Sequence, residues 1–165
     1  MKFRLATAND LDAIIDLLAD DVLGSQRESS DLTSHDAYLN AFQQILDDAR
    51  NELIVGDVGG EVVSVLQVTY IPGLSHMGAE RAQLESVRVS SAYRGHGIGR
   101  QMLEWVVARA RERGVRIVQL TTDNRRIDAH RWYQSLGFEA THVGMKLRLD
   151  EESPAQAPGP RRDHS

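Results

Sequence analysis

The stretch from Leu84 to Thr122 constrains the fold most, because it runs strand, glycine-rich turn, helix and second strand in unbroken succession. Val87 and Val89 are β-branched and, in an extended chain, share one face with Glu85, leaving Ser86 and Arg88 on the other. From Ile98 onward the apolar positions Ile98, Met102, Leu103, Val106, Val107 and Ala110 recur at helical spacing, and Gly114 supplies a C-terminal cap. Arg116–Thr122, Arg-Ile-Val-Gln-Leu-Thr-Thr, is expected as a buried strand. Two strands joined through a helix pair in parallel, since a crossover of that kind returns the chain in its original direction.

Between strand and helix lie Gly95, Gly97 and Gly99, with His96 among them and Arg94 and Arg100 on either side. Glycines let the backbone approach a ligand, and a helix start aims unpaired N–H groups and a positive dipole end at an anion. Two adjacent arginines make a phosphate the natural guest. A tight turn with solvated arginines has the same composition, so the turn alone does not decide. A dinucleotide site of the Gly-x-Gly-x-x-Gly type is disfavoured by the different spacing.

A second segment decides. Arg94-Gly-His-Gly-Ile-Gly99 fits an Arg/Gln-x-x-Gly-x-Gly pyrophosphate loop, and Ala129-His-Arg-Trp-Tyr-Gln-Ser-Leu-Gly-Phe138 follows at a plausible separation. Both, in this order, resemble the GCN5-related N-acetyltransferase (GNAT) superfamily, over about residues 1–149. The resemblance implies an α/β (α+β) fold: a mixed, mostly antiparallel sheet with a central splayed parallel strand pair, flanked by helices. Acetyl-coenzyme A would lie in the splay as cosubstrate. Its pantetheine would run along Val87, Arg88 and Val89, and its pyrophosphate would sit on the loop from Arg94 through Gly95, His96, Gly97, Ile98 and Gly99 to Arg100. Tyr133 stands where the family's tyrosine protonates the departing thiolate, though a core aromatic beside Trp132 would look alike. A backbone N–H near Val87 would face the acetyl oxygen.

Direct acetyl transfer to an amine also needs a base, because an alkyl ammonium is mostly protonated near neutral pH. Glu85 is the candidate: burial next to the thioester would suit it to take a proton. An exposed strand residue, ion-paired with Arg81 or Arg88, is the alternative. One position departs from the family: Arg126 stands seven residues before Tyr133, where an asparagine is frequent, and Asn124 lies two residues earlier. Either Asn124 reaches the cofactor, or Arg125 and Arg126 meet its phosphates.

The remaining chain is expected to supply the frame. Lys2–Ala6 reads as a first strand. A helix follows, capped by Asn9 or Asp10, with Leu11, Ile14, Ile15, Leu18 and Val22 on one face. Residues 24–34 read as a polar loop, and a second helix capped by Ser34 runs to near Arg50. Asp16, Asp20, Asp21 and Glu28 form an acidic group that either attracts an amine or is a solvated face. Leu53–Val58 and Val62–Ile71 read as a hairpin about Gly59-Gly60, with Gln67 and Tyr70 as possible pocket residues. Leu74–Ala82 is a loop that could cover the site. Ala129–Leu136 is a short helix, and Phe138–Leu149 a final hairpin turning at His142–Gly144. Residues 150–165, rich in proline and without sizeable apolar residues, read as a disordered tail.

With 19 Lys and Arg against 24 Asp and Glu, the net charge of −5 argues against a nucleic-acid partner. The chain holds no cysteine, which excludes an acyl-cysteine intermediate, and shows no metal-ligand spacing. Without a signal-like start or a membrane-length apolar run it reads as cytoplasmic. The expected partner is a small-molecule primary amine, acetylated in a ternary complex, with a homodimer possible. A protein acetyltransferase and a non-catalytic acyl-coenzyme A sensor are the competing readings.

Overall fold

The computed structural model of the chain describes residues 1–20, 32–147 and 149. Val22, Asp21, Glu28, most of the expected 24–34 loop and all of the expected tail lie outside the described residues. The elements are β1 (Lys2–Leu5), α1 (Leu11–Ala19), α2 (Leu32–Asp47), β2 (Asn51–Val58), β3 (Glu61–Ile71), the single turn α3 (Ser75–Gly78), β4 (Arg81–Val89), α4 (Ile98–Glu112), β5 (Ile117–Leu120) and α5 (Ile127–Ser135). Short 3-10 turns precede α1 and follow β4.

The five strands lie in the order β1-β2-β3-β4-β5, antiparallel throughout except for the parallel pair β4–β5. The β2–β3 turn is Gly59-Gly60, with φ of 63° and 95°. Two positive φ values match the primed hairpin turns whose twist suits the flanking strands. Alternation along β2 and β3 then feeds two cores. Ile54, Leu66, Val68, Tyr70, Ala82 and Leu84 meet Met102, Leu103, Val106 and Ala110 of α4. Leu53, Val55 and Val65 meet Leu11, Ile14, Ile15 and Leu17 of α1 and Phe42 of α2 on the opposite face.

Several local expectations are revised. Asp10 precedes α1 but turns its carboxylate back, accepting the Thr7 N–H at 2.7 Å and both Arg4 terminal nitrogens at 2.7 and 2.9 Å. The second helix begins at Leu32, so Ser34 lies inside it. The 74–79 turn sits at the end of β4 opposite the glycine loop, where Arg116 Nη1 donates to the His76 carbonyl at 3.5 Å; it does not cover the site. β5 is a four-residue edge strand with no buried residue, where a longer buried strand was expected. Residues 138–147 form no hairpin, and Val143, Met145, Leu147 and Leu149 are 79–92% exposed. Among the described residues no helix is long and apolar enough to cross a membrane.

Candidate active site

The site begins with a defect in β4. Gln67 faces Glu85 and Val65 faces Arg88, so two steps along β3 oppose three along β4. Ser86, at φ 54°, takes up the extra residue. A non-glycine residue there costs roughly 1–2 kcal/mol, a strain that concentrates at functional sites. The bulge also flips the side-chain alternation. Val87 packs with Leu84 against α4, and a Cβ on Gly99 would lie 3.5 Å from Val89 Cγ2. Glu85 therefore does not share a face with Val87 as strict alternation predicts. It points to the α1 side and is exposed, without the burial expected around it.

The parallel pairing ends at Leu84–Leu120, whereas β4 continues to Val89. That leaves a length of β4 without a β5 partner, which is the expected splay. The carbonyls of Val87 and Val89 each accept one bond already, from Arg88 Nη1 at 2.9 Å and Arg94 Nε at 3.1 Å. Each keeps a second lone pair.

Beyond Val89 the chain enters the glycine turn, where the glycines have two different reasons. Gly95 and Gly97 take φ of 81° and 76°, with nothing within 4 Å of a Cβ on Gly95 and only Gln101 Nε2, at 3.8 Å, near one on Gly97. Gly97 is the N-cap of the fifteen-residue α4. Open space over a left-handed turn and a helix start is a shape a diphosphate fits. Gly99 instead has φ in the ordinary range, and a Cβ there would come within 3.1 Å of Trp132 Cζ2. It serves packing of α4 on α5. Ile98 is buried beside it, while His96 is exposed and its Nδ1 lies 3.0 Å from the Arg94 carbonyl.

Arg94 is half exposed and reaches toward the end of α1. Besides Val89, it donates to the Asp20 carbonyl and lies 3.5 Å from the Asp20 carboxylate, which also accepts the Ser91 N–H at 2.5 Å. Asp20 thus ties the end of α1 to the loop, a role its sequence neighbourhood does not mark. Arg100 is half exposed, 3.9 Å from Glu104, beside a cavity of about 290 Å³ between α4 and the end of α5.

Tyr133 arrives from α5, packed between Trp132 (ring centroids 4.8 Å apart) and Phe138 (5.8 Å, edge-on). Burial pushes its phenol above the ordinary value, while the nearby charges of Arg88 and Arg126 pull the other way. A phenol that holds its proton is suited to donate it to a thiolate. The charges of Arg88 and Arg126 thus reach Tyr133, whereas Glu85 is exposed and faces Gln67 on β3. Asn124 is exposed, and Arg125 is folded onto Asp123 at 2.8 Å. The charge of Arg126 acts on Tyr133, which the asparagine comparison did not suggest.

The model of the acetyltransferase (GNAT) family matches residues 12–138. This chain belongs to that family. It is 27% identical over 148 residues to the aminoalkylphosphonate N-acetyltransferase of Salmonella typhimurium, covering 90% of this chain and 91% of that protein. It is 32% identical over 126 residues to the N-alpha-acetyltransferase RimI of Mycobacterium tuberculosis, covering 74% and 73%. A Bacillus halodurans C-125 protein described as a transcriptional regulator superposes with a TM-score of 0.86 at 47% identity, covering 90% of this chain and 99% of that one. As a GNAT protein the chain is an acetyl-coenzyme A-dependent acyltransferase, and its mixed sheet with one parallel pair is the fold of the family.

Proposed function

We propose that this GNAT enzyme transfers acetyl from acetyl-coenzyme A directly to the primary amine of a small molecule, in a ternary complex. The observation that carries the small-molecule reading is the extent of the match to the aminoalkylphosphonate enzyme, 91% of whose length aligns. The cosubstrate supplies an acetyl group on a thioester. Its diphosphate meets the amides of Gly95–Arg100, and its arm lies along Val87–Val89 where β4 has left β5.

The amine nitrogen attacks the acetyl carbon, the C–N bond forms and the C–S bond breaks. Tyr133 gives its phenolic proton to the leaving sulfur, and the neighbouring guanidinium charges of Arg88 and Arg126 steady the phenolate that remains. The proton lost from nitrogen leaves toward Glu85 through water, a longer path than a buried base would give, since Glu85 is exposed on the α1 side. The full-length B. halodurans likeness also keeps open a binding role without turnover. The likeness to RimI supports an N-terminal amine of a protein as second acceptor class.

The deciding experiment incubates the protein with acetyl-coenzyme A and a panel of aminoalkylphosphonates, polyamines, amino acids and peptides, and follows thiol release. Release with small amines but not peptides supports the proposal. Release with peptides alone moves the enzyme to the protein class, and binding without release on any acceptor removes the catalytic reading.

A further inference from the structure

Gln67 stands directly across from Glu85 in the β3–β4 pair, and Glu85 is the first residue of β4 beyond its last pair with β5, Leu84–Leu120. The two side chains therefore share one face of the sheet at the point where the splay opens. It is the face of Val65, which belongs to the core under α1 and lies two residues from Gln67 in β3. Next to this pair the same face carries a polar row across four strands: Asn51 opposite Thr69, Thr69 opposite Gln83, Gln83 opposite Gln119. All four are only partly buried.

A relay fixes which way the Gln67 amide points. The Asp48 carboxyl, which the Arg50 guanidinium holds below the ordinary range, can only accept hydrogen bonds, so Asn51 turns its Nδ2 to it, at 3.2 Å. The Asn51 oxygen then accepts from Thr69 Oγ1 at 2.7 Å and from Gln67 Nε2 at 3.3 Å. With its nitrogen committed, Gln67 keeps a carbonyl oxygen that receives no hydrogen bond from a described residue. The Glu85 carboxylate opposite is exposed and likewise only accepts. Two neighbouring acceptors, one of them charged, suit a group that brings several N–H bonds and a positive charge, as a primary ammonium does.

We infer that the Gln67 amide oxygen receives an N–H of the acceptor's ammonium group, which the Glu85 charge draws to this face of the sheet. The inference rests on the amine-acetylating reading above and adds where the acceptor stands. Once one proton has gone to Glu85 through water, an N–H remains on the Gln67 oxygen and the freed lone pair is available to the thioester carbon. The amine stands on the α1 face, Tyr133 packs with the α4 core, and the opening between β4 and β5 joins them. Gln67 is thus a specificity residue that holds the nucleophile, separate from the groups that move protons.

The test follows the full chain with two amines, 2-aminoethylphosphonate and spermidine, reading turnover as thiol release and binding by calorimetry in the presence of coenzyme A. Gln67→Leu keeps the bulk and removes the oxygen; the amine KM or Kd is expected to rise about tenfold, with kcat and the acetyl-coenzyme A KM within about twofold of the parent. Gln67→Glu keeps an acceptor oxygen in place but no longer donates to Asn51, and is expected to hold the parent's amine affinity. A glutamine that only supported Asn51 would behave differently, its glutamate variant as impaired as its leucine variant. That result overturns the inference, as does unchanged amine affinity in Gln67→Leu or a parent that binds neither amine. Amine binding that depends on Gln67 without thiol release supports the site and removes the catalytic reading instead.

Discussion

β3 and β5 belong to one sheet and are built on opposite terms. β3 has a neighbour on each side and buries Val63, Ser64, Val65, Leu66, Val68 and Tyr70. Among the described residues β5 has a neighbour on one side and no fully buried residue, and α5, which follows it, packs Trp132 and Tyr133 on the core only partly buried. Strands β2–β4 and helices α1 and α4 are held by two buried cores. The segment from β5 onward, which carries Tyr133, is held by partly buried contacts of Val118, Leu120, Trp132, Tyr133, Leu136 and Phe138 on one of them. Local opening free energies follow burial and backbone pairing, so that segment is expected to open most readily.

The sharpest way to break this contrast is to remove a polar anchor from each part. Glu52, whose side chain is 14% exposed, is gripped by Arg109 at 2.6 and 2.8 Å and receives the Tyr70 hydroxyl at 3.3 Å. Arg109→Leu strands that carboxylate and is expected to cost about 3 kcal/mol in urea unfolding, the low end for a broken buried pair because Arg109 is itself partly exposed. On α5, Arg131 lies 3.8 Å from Asp128 with both side chains exposed. Arg131→Ala is expected to change stability by less than about 0.5 kcal/mol. Equal losses would mean the two parts are anchored alike.

Tyr133→Phe asks the same question of function. Turnover is expected to fall roughly 10- to 100-fold with little change in the acetyl-coenzyme A KM or in melting temperature, because the ring packing survives. Unchanged turnover would take Tyr133 out of the mechanism. The phenol must be protonated to act, and burial raises its pKa, so any loss of rate from its ionisation comes as pH rises above the ordinary tyrosine range. A decline at lower pH that survives in the phenylalanine variant belongs to another group.

A smaller effect sits in the first half. Arg4, with help from Thr7, lowers the Asp10 carboxyl from 3.8 to about 2. A depressed carboxylate stabilises the fold above its unfolded pKa, and that contribution is lost as pH falls through the folded value. Asp10 should therefore account for on the order of 2 kcal/mol, present at pH 5 and gone near pH 2. Asp10→Asn is expected to flatten the pH dependence of melting over that window. The smallest change expected is at the joint between α1 and the glycine loop. Asp20→Asn should weaken acetyl-coenzyme A binding a few-fold and speed amide exchange at Ser91, with turnover at saturation unaffected; unaltered exchange would disconnect Asp20 from the loop.

Legibility followed the same division. The hairpin about Gly59-Gly60, the β4–turn–α4–β5 succession and the parallel pair could be read because apolar period and glycine position both mark them. The bulge could not, since Ser86 carries a left-handed φ that nothing in its residue type announces. One hidden residue then misplaced Glu85 relative to Val87. Composition marked the charge of Arg94 but not its contact with Asp20, seventy-four residues earlier. The 138–149 segment was read as a final hairpin about His142–Gly144, yet residues 138–147 form none and Val143, Met145 and Leu147 are exposed.

Gly99 has a consequence of its own. Its missing side chain lets the start of α4 rest on the indole of Trp132, and Tyr133 is the next residue. The spacing between the glycine turn and the phenol is thus tied to a van der Waals contact. A gauge of that kind measures reach: in the proposed site, a thioester anchored at the turn would meet the phenol only if its arm has one length, whatever the acceptor on the far side.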